Sequence, residues 1–103
     1  MDSAVSDLKR IEALLEQARA GLTAGDPGAA LAATEQALAI DPRHLPALAL
    51  RIRALEGAGQ LEEAHRQSLH LKQLKREAWQ REVEAELRGK HDVLGKATRH
   101  ERH

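Results

Sequence analysis

Residues 11–42 read IEALLEQARAGLTAGDPGAALAATEQALAIDP, and two points of punctuation divide them. In the first half Ile11, Leu14, Leu15, Ala18 and Leu22 recur at three- and four-residue steps, the spacing of one apolar helix face. Gly25 can take the left-handed backbone conformation that a helix exit needs, and Asp26-Pro27 then offers a cap followed by a proline at the first helical position. A second helix opens there, with Ala30, Leu31, Thr34, Ala37, Leu38 and Ile40 on its buried side. It closes at Asp41-Pro42, because proline lacks an N–H and restricts the residue before it. The stretch therefore predicts two antiparallel helices joined by a tight turn.

The same pattern extends in both directions. Upstream, Leu8 continues the apolar face, Ser3 or Ser6 can cap the first helix, and Asp7 near its start complements the helix dipole. Downstream, a third helix begins at Leu45-Pro46, carries Leu48, Ile52 and Leu55, and exits at Gly57-Ala58-Gly59. Between Leu61 and Arg88 there is no Gly, Pro, Asn or Asp, so nothing stops a helix once it starts. One helix over about 61–88 is predicted, with Leu61, Ala64, Leu71, Leu74, Ala78, Val83 and Leu87 as its apolar positions and Trp79 beside them. From Gly89 the composition turns to Gly, Lys, His, Arg and Thr, with Val93 and Leu94 the only large apolar residues. Residues 1–88 therefore read as the helical domain and 89–103 as a basic, histidine-containing, flexible tail, since so little apolar surface does not offset the entropy of ordering.

Composition agrees with an all-α chain. Its 103 residues are enough for one domain. Hydrophobic residues make up 42% but aromatics only 1%, a single tryptophan, so the apolar content is nearly all Ala and Leu, the strongest helix formers. The scarcity of β-branched and aromatic residues argues against a sheet. Formal net charge is zero, yet the chain is polarised: through Asp41 there are seven acids against three bases, and the remainder is correspondingly basic. A neutral balance is not the footprint of a nucleic-acid binder, whose whole domain is usually basic. There is no cysteine, which excludes disulfides and thiolate metal sites. Neither a leader pattern at the N-terminus nor an apolar run of membrane-spanning length is present, so the expected location is the cytoplasm and no membrane partner is expected.

A shift of 34 residues aligns Leu14 with Leu48, Arg19 with Arg53, Gly25 with Gly59 and Ala30 with Ala64. These matches fall at equivalent places in two helical hairpins, and a 34-residue period belongs to one class of helical repeat. Residues 11–42 resemble one tetratricopeptide repeat: Leu14 takes the large first-helix position, Ala18 the small contact position, Gly25-Asp26 the turn, and Ala30 and Ala37 the small second-helix positions. ALAIDP at 37–42 is similar to the closing motif of that family. Residues 45–76 resemble a degenerate second copy through Leu48, Ile52, Leu55, Gly59, Ala64 and Leu74. There Leu71 stands where the family has a small alanine and Arg76 where it has the closing proline, while in the first copy Gly21 occupies a usual aromatic position. The resemblance implies antiparallel helical hairpins of an α-solenoid fragment, here ending in a long C-terminal helix.

It also implies a non-enzymatic adaptor that holds a peptide or a partner helix in a concave groove. Carried over residue by residue, that groove consists of Glu12, Leu15, Arg19 and Leu22 from the first repeat and Ala49, Arg53 and Glu56 from the second. Arg19 and Arg53 repeat at one register and either grip a carboxylate or pair with Glu16 and Glu56. The family's carboxylate clamp also uses asparagine, of which this chain has none.

Two hairpins are fewer than the three usually needed for an independent array, so extra burial must come from elsewhere. Either the far half of the long helix folds over the second hairpin, or it joins two chains in a homodimer through Trp79, Val83 and Leu87. The latter makes a structural oligomerisation module the alternative function. No catalytic, cofactor or metal set is expected. His65 and His70 are five apart and diverge on a helix, and His100 with His103 lacks a third ligand. Glu82, Glu84 and Glu86 alternate around the helix among Arg81 and Arg88 and read as solvated surface.

Overall fold

The computed structural model describes the backbone of residues 3–101 and the side-chain environment of residues 4–89. Its elements are α1 (Ser3–Thr23), α2 (Pro27–Ile40), α3 (Leu45–Gly57) and α4 (Leu61–Glu101). Each packs on its neighbour in the chain, and α1 also touches α3.

The two tight turns share one hydrogen-bond plan, repeated 34 residues apart. At the end of α1, Gly25 has φ 73°, its N–H donates to the Leu22 carbonyl at 3.2 Å, and the Asp26 N–H donates to the Gly21 carbonyl at 2.7 Å. At the end of α3, Gly59 has φ 79°, its N–H donates to the Glu56 carbonyl at 3.0 Å, and the Gln60 N–H donates to the Leu55 carbonyl at 2.9 Å. In both, a left-handed glycine lets the chain reverse while two otherwise orphaned carbonyls of the last turn are satisfied. The Asp26 carboxylate then caps α2 by accepting from the Ala29 N–H at 3.1 Å, with Pro27 in the first turn. The Asp41 carboxylate accepts from the Arg43 N–H at 3.1 Å and holds the bend into α3, which starts at Leu45-Pro46 after its cap residue His44.

Burial follows the small residues. Ile11, Leu14, Leu15 and Ala18 of α1 meet Ala30, Ala33 and Ala37 of α2 and Ala47, Leu50 and Ala54 of α3 in one cluster. Ala18, Ala30, Ala37, Ala47 and Ala54 have no exposed area, so helices close to the short side chain and the leucines fill the grooves between them. Thr34 is equally buried and turns its hydroxyl back onto the Ala30 and Leu31 carbonyls, both at 3.0 Å, which satisfies it without a tertiary partner. Leu48, Ile52 and Leu55 of α3 meet Ala64, Leu71 and Leu74 of α4 in a second cluster, and Leu31 and Leu38 touch both.

The fourth helix is far longer than its partner. At about 1.5 Å per residue, the 13 residues of α3 span about 20 Å and the 41 of α4 about 60 Å. The two run antiparallel from one turn, so α3 covers α4 only through its first third. The Cα radius of gyration is 19.7 Å, against about 13 Å for a compact chain of this length.

The sequence reading ends this helix near Arg88, whereas the backbone stays helical to Glu101. Gly89 is not in the left-handed region that closes α1 and α3, and a glycine at ordinary helical φ weakens a helix by about 1 kcal/mol without terminating it. The flexible character expected for 89–103 concerns side chains from position 90 onward and residues 102 and 103, which lie outside the described residues. A second difference is Leu61, counted with the apolar face of α4 but 65% exposed, because at the first position of the helix it points away from α3.

Candidate functional site

Two surfaces contain the residues singled out by the sequence. The first is the α1–α3 side. Glu12 and Arg19 of α1 and Arg53 and Glu56 of α3 are exposed. Leu15 is not available there: it is 5% exposed, in the cluster that α3 closes over α1. Leu22 is half-buried against the same cluster, and Ala49 is half-buried beside the second one. The three apolar members of the implied groove are therefore largely used by the fold, and what remains open is polar. Arg19 donates from Nη1 to Glu16 Oε1 at 2.7 Å, an exposed one-turn pair. Among the described residues Arg53 forms no such pair with Glu56.

Between α2 and α4 lies a cluster that the sequence reading did not single out. The Arg51 side chain is only 22% exposed; its Nη2 lies 3.9 Å from Glu35 Oε1 of α2, and its buried Nε has no hydrogen-bond partner. On α4, Gln67 Nε2 donates to Glu63 Oε2 at 2.7 Å and Arg66 Nη2 to Glu63 Oε1 at 2.6 Å. The Gln67 hydrogen bond, then that of Arg66, with the nearby Arg51 charge adding, hold the Glu63 carboxyl below its usual range. The signal for Arg51 was present: it falls four residues after Ala47 and three before Ala54, both fully buried, so it shares their face at the edge of the core. This cluster draws on α2, α3 and α4, and an open crevice lined by Gly59, Gln60, Leu61, Glu62, Glu63 and Arg66 runs beside its α4 members.

The second surface is α4 beyond the end of α3. Trp79 is 63% and Leu87 58% exposed, with Val83 half-buried between them. Trp79, Val83 and Glu86 follow at four- and three-residue steps and share one face, and a shallow crevice runs past them along Glu82 and Ala85. Leu69 is exposed on the same side one helical stretch earlier. The α3-facing side carries Ala64, Leu71 and Leu74 instead, so α4 has two apolar faces and the fold uses one. The basic residues Arg66, Lys72, Lys75 and Arg76 are exposed among Glu62 and Glu77, and Arg66 is already bound to Glu63. His65 and His70 are exposed, and among the described residues no three His, Asp or Glu side chains converge as metal ligands.

Residues 21–77 match the family model of the tetratricopeptide repeat, over half of the chain. The chain belongs to the tetratricopeptide repeat family. No curated protein and no solved structure matches it beyond that. The match runs from the last turn of α1 through α2 and α3 into α4 and stops at Glu77, two residues before Trp79. The exposed apolar face of α4 is thus an extension of this tetratricopeptide repeat chain past the repeat itself. In a regular array the next repeat would cover the last helix, since each unit buries only one side by itself. Among the described residues no helix is long and apolar enough to cross a membrane.

Proposed function

We propose that this tetratricopeptide repeat chain is a protein-interaction module with no chemistry of its own, and that its main contact surface is the free face of α4. The family is generally non-enzymatic and serves protein–protein contact. The observation that carries the choice of surface is the exposure of Trp79 beside Val83 and Leu87, on a stretch of α4 against which, among the described residues, no other helix packs. Large aromatic side chains dominate protein interfaces because they bury much area at little cost in rotamer freedom. An apolar stripe on a helix is read best by another helix laid along it.

A second reading keeps the concave side as a peptide groove. It is favoured by Arg19 and Arg53, both exposed at the same register of the 34-residue repeat, with Glu12 and Glu56 beside them. It uses charge and not apolar pockets, because Leu15, Leu22 and Ala49 are engaged by the core. Salt would therefore weaken this contact steeply.

Affinity capture from a cell lysate with three baits separates the two surfaces. Loss of captured proteins with Trp79→Ala, and retention with an Arg19→Ala/Arg53→Ala double variant, supports the α4 face. The reverse pattern supports the groove. Capture that is indifferent to both variants overturns the proposal.

A further inference from the structure

The α4 face is built to be met by itself, and we propose that two copies of the chain pair antiparallel along it, with Trp79 of each opposite Val83 of the other. This deepens the interaction reading above and rests on it. Lys72, Arg76, Trp79, Val83 and Glu86 succeed one another by four, three, four and three residues, the alternation of a two-helix seam. All but the half-buried Val83 are exposed, so the seam is free in the single chain.

Charge along the seam decides the orientation. On the seam Lys72 and Arg76 precede Trp79 and Glu86 follows Val83, with Lys75 and Glu82 at its flank, while Glu77, Arg81, Glu84 and Arg88 fall toward the opposite side of the helix. A parallel pair would set Arg76 on Arg76 and Glu86 on Glu86. In the antiparallel pair, seating Trp79 opposite Val83 also seats Arg76 opposite Glu86, and the two-fold axis makes that ion pair twice. Leu87 flanks the Trp79–Val83 layer and extends its apolar area. The same register sets Lys72 against a lysine at position 90, so the favourable stretch is the central one, between 76 and 86. A contact of that size stands at the small end of specific interfaces, and the association is accordingly weak and concentration-dependent.

The experiment uses the full chain alone, in low salt, by sedimentation equilibrium over about three decades of concentration, with emission of the single tryptophan recorded alongside. The mean mass should climb from 11.3 kDa toward twice that value while the emission moves to shorter wavelength as Trp79 leaves water. Trp79→Ala should abolish the rise yet keep the melting temperature of the monomer, because Trp79 belongs to neither core cluster. Arg76→Glu and Glu86→Arg should each weaken association about tenfold, and the double exchange should restore it. A monomer mass with unchanged emission at every concentration overturns the self-pairing while leaving the α4 face to a different protein, which the bait experiment reads separately. Single exchanges without effect, or a double exchange that fails to restore association, overturn the antiparallel register.

Discussion

Gly21 of α1 lies directly against the backbone of Ala30 in α2: a β-carbon on Gly21 would lie 3.0 Å from the Ala30 amide nitrogen and 3.1 Å from the Asp26 carbonyl oxygen. Both obstacles are backbone, held by the turn bond from the Asp26 N–H to the Gly21 carbonyl. The missing aromatic at this family position is therefore a steric necessity of this crossing. Gly21→Ala should lower stability by about 1 kcal/mol, the strain of overpacking exceeding the gain in helix propensity, and Gly21→Leu by about 1–3 kcal/mol. Gly89, with nothing within 4 Å and no left-handed φ, is the control. Gly89→Ala should raise helical ellipticity instead. Chemical denaturation and circular dichroism of both variants check the pair.

Gly25 and Gly59 should behave alike because their turns are copies of one another. With φ values of 73° and 79° and open space around each, alanine at either position meets no neighbour but pays the left-handed strain, about 1–2 kcal/mol. Asparagine should recover part of that loss, since its side chain tolerates the conformation. Equal stability of the Gly59→Ala and parent chains in urea would show that the turn conformation drawn for α3–α4 is not the one in solution.

These turns were the most legible part of the sequence. Gly25 precedes Asp-Pro, and both turn glycines sit at the same register of the repeat, so local chemistry and period agree. Gly89 has the same identity without such company, and at ordinary helical φ it does not close α4. Leu14 and Leu15 show a second limit. Adjacent residues on a helix point about 100° apart, and which of the two is buried depends on how many helices surround α1. Both are buried, because α2 and α3 each lie against it, and this removes Leu15 from the groove. Exposure of Trp79 was beyond the periodicity, since a stripe does not say whether another helix of the same chain reaches it.

Acid should expose the Glu63 cluster. A carboxyl held below its usual range contributes stability that is complete above the ordinary glutamate pKa, about 4.3, and is lost as pH falls through the lower folded-state value. Protonation removes the negative acceptor of the Gln67 and Arg66 hydrogen bonds and the partner of the Arg51 charge. Glu63→Gln should therefore be less stable than the parent at neutral pH, and the two curves should converge in acid. Thermal melts across that range test it; a gap that widens as pH falls contradicts the assignment.

Two prolines separate the half of α4 that supports the fold from the half that offers a surface. At Arg76, proline would restore the closing residue of the family, yet here it falls in a continuous helix two residues after the buried Leu74. It removes the backbone bond to the Lys72 carbonyl and clashes with it, a loss of about 3 kcal/mol or more in a helix interior, so Arg76→Pro should lower the melting temperature and the ellipticity together. At Arg81 the same lesion lies beyond Leu74, the last buried residue of α4 among the described residues. Arg81→Pro should reduce ellipticity and abolish self-association while the melting temperature of the two core clusters stays near that of the parent. If Arg76→Pro instead keeps full stability and helicity, a turn stands where this structure has a helix; if Arg81→Pro unfolds the whole domain, the distal half of α4 is part of the core and not a surface held out for a partner.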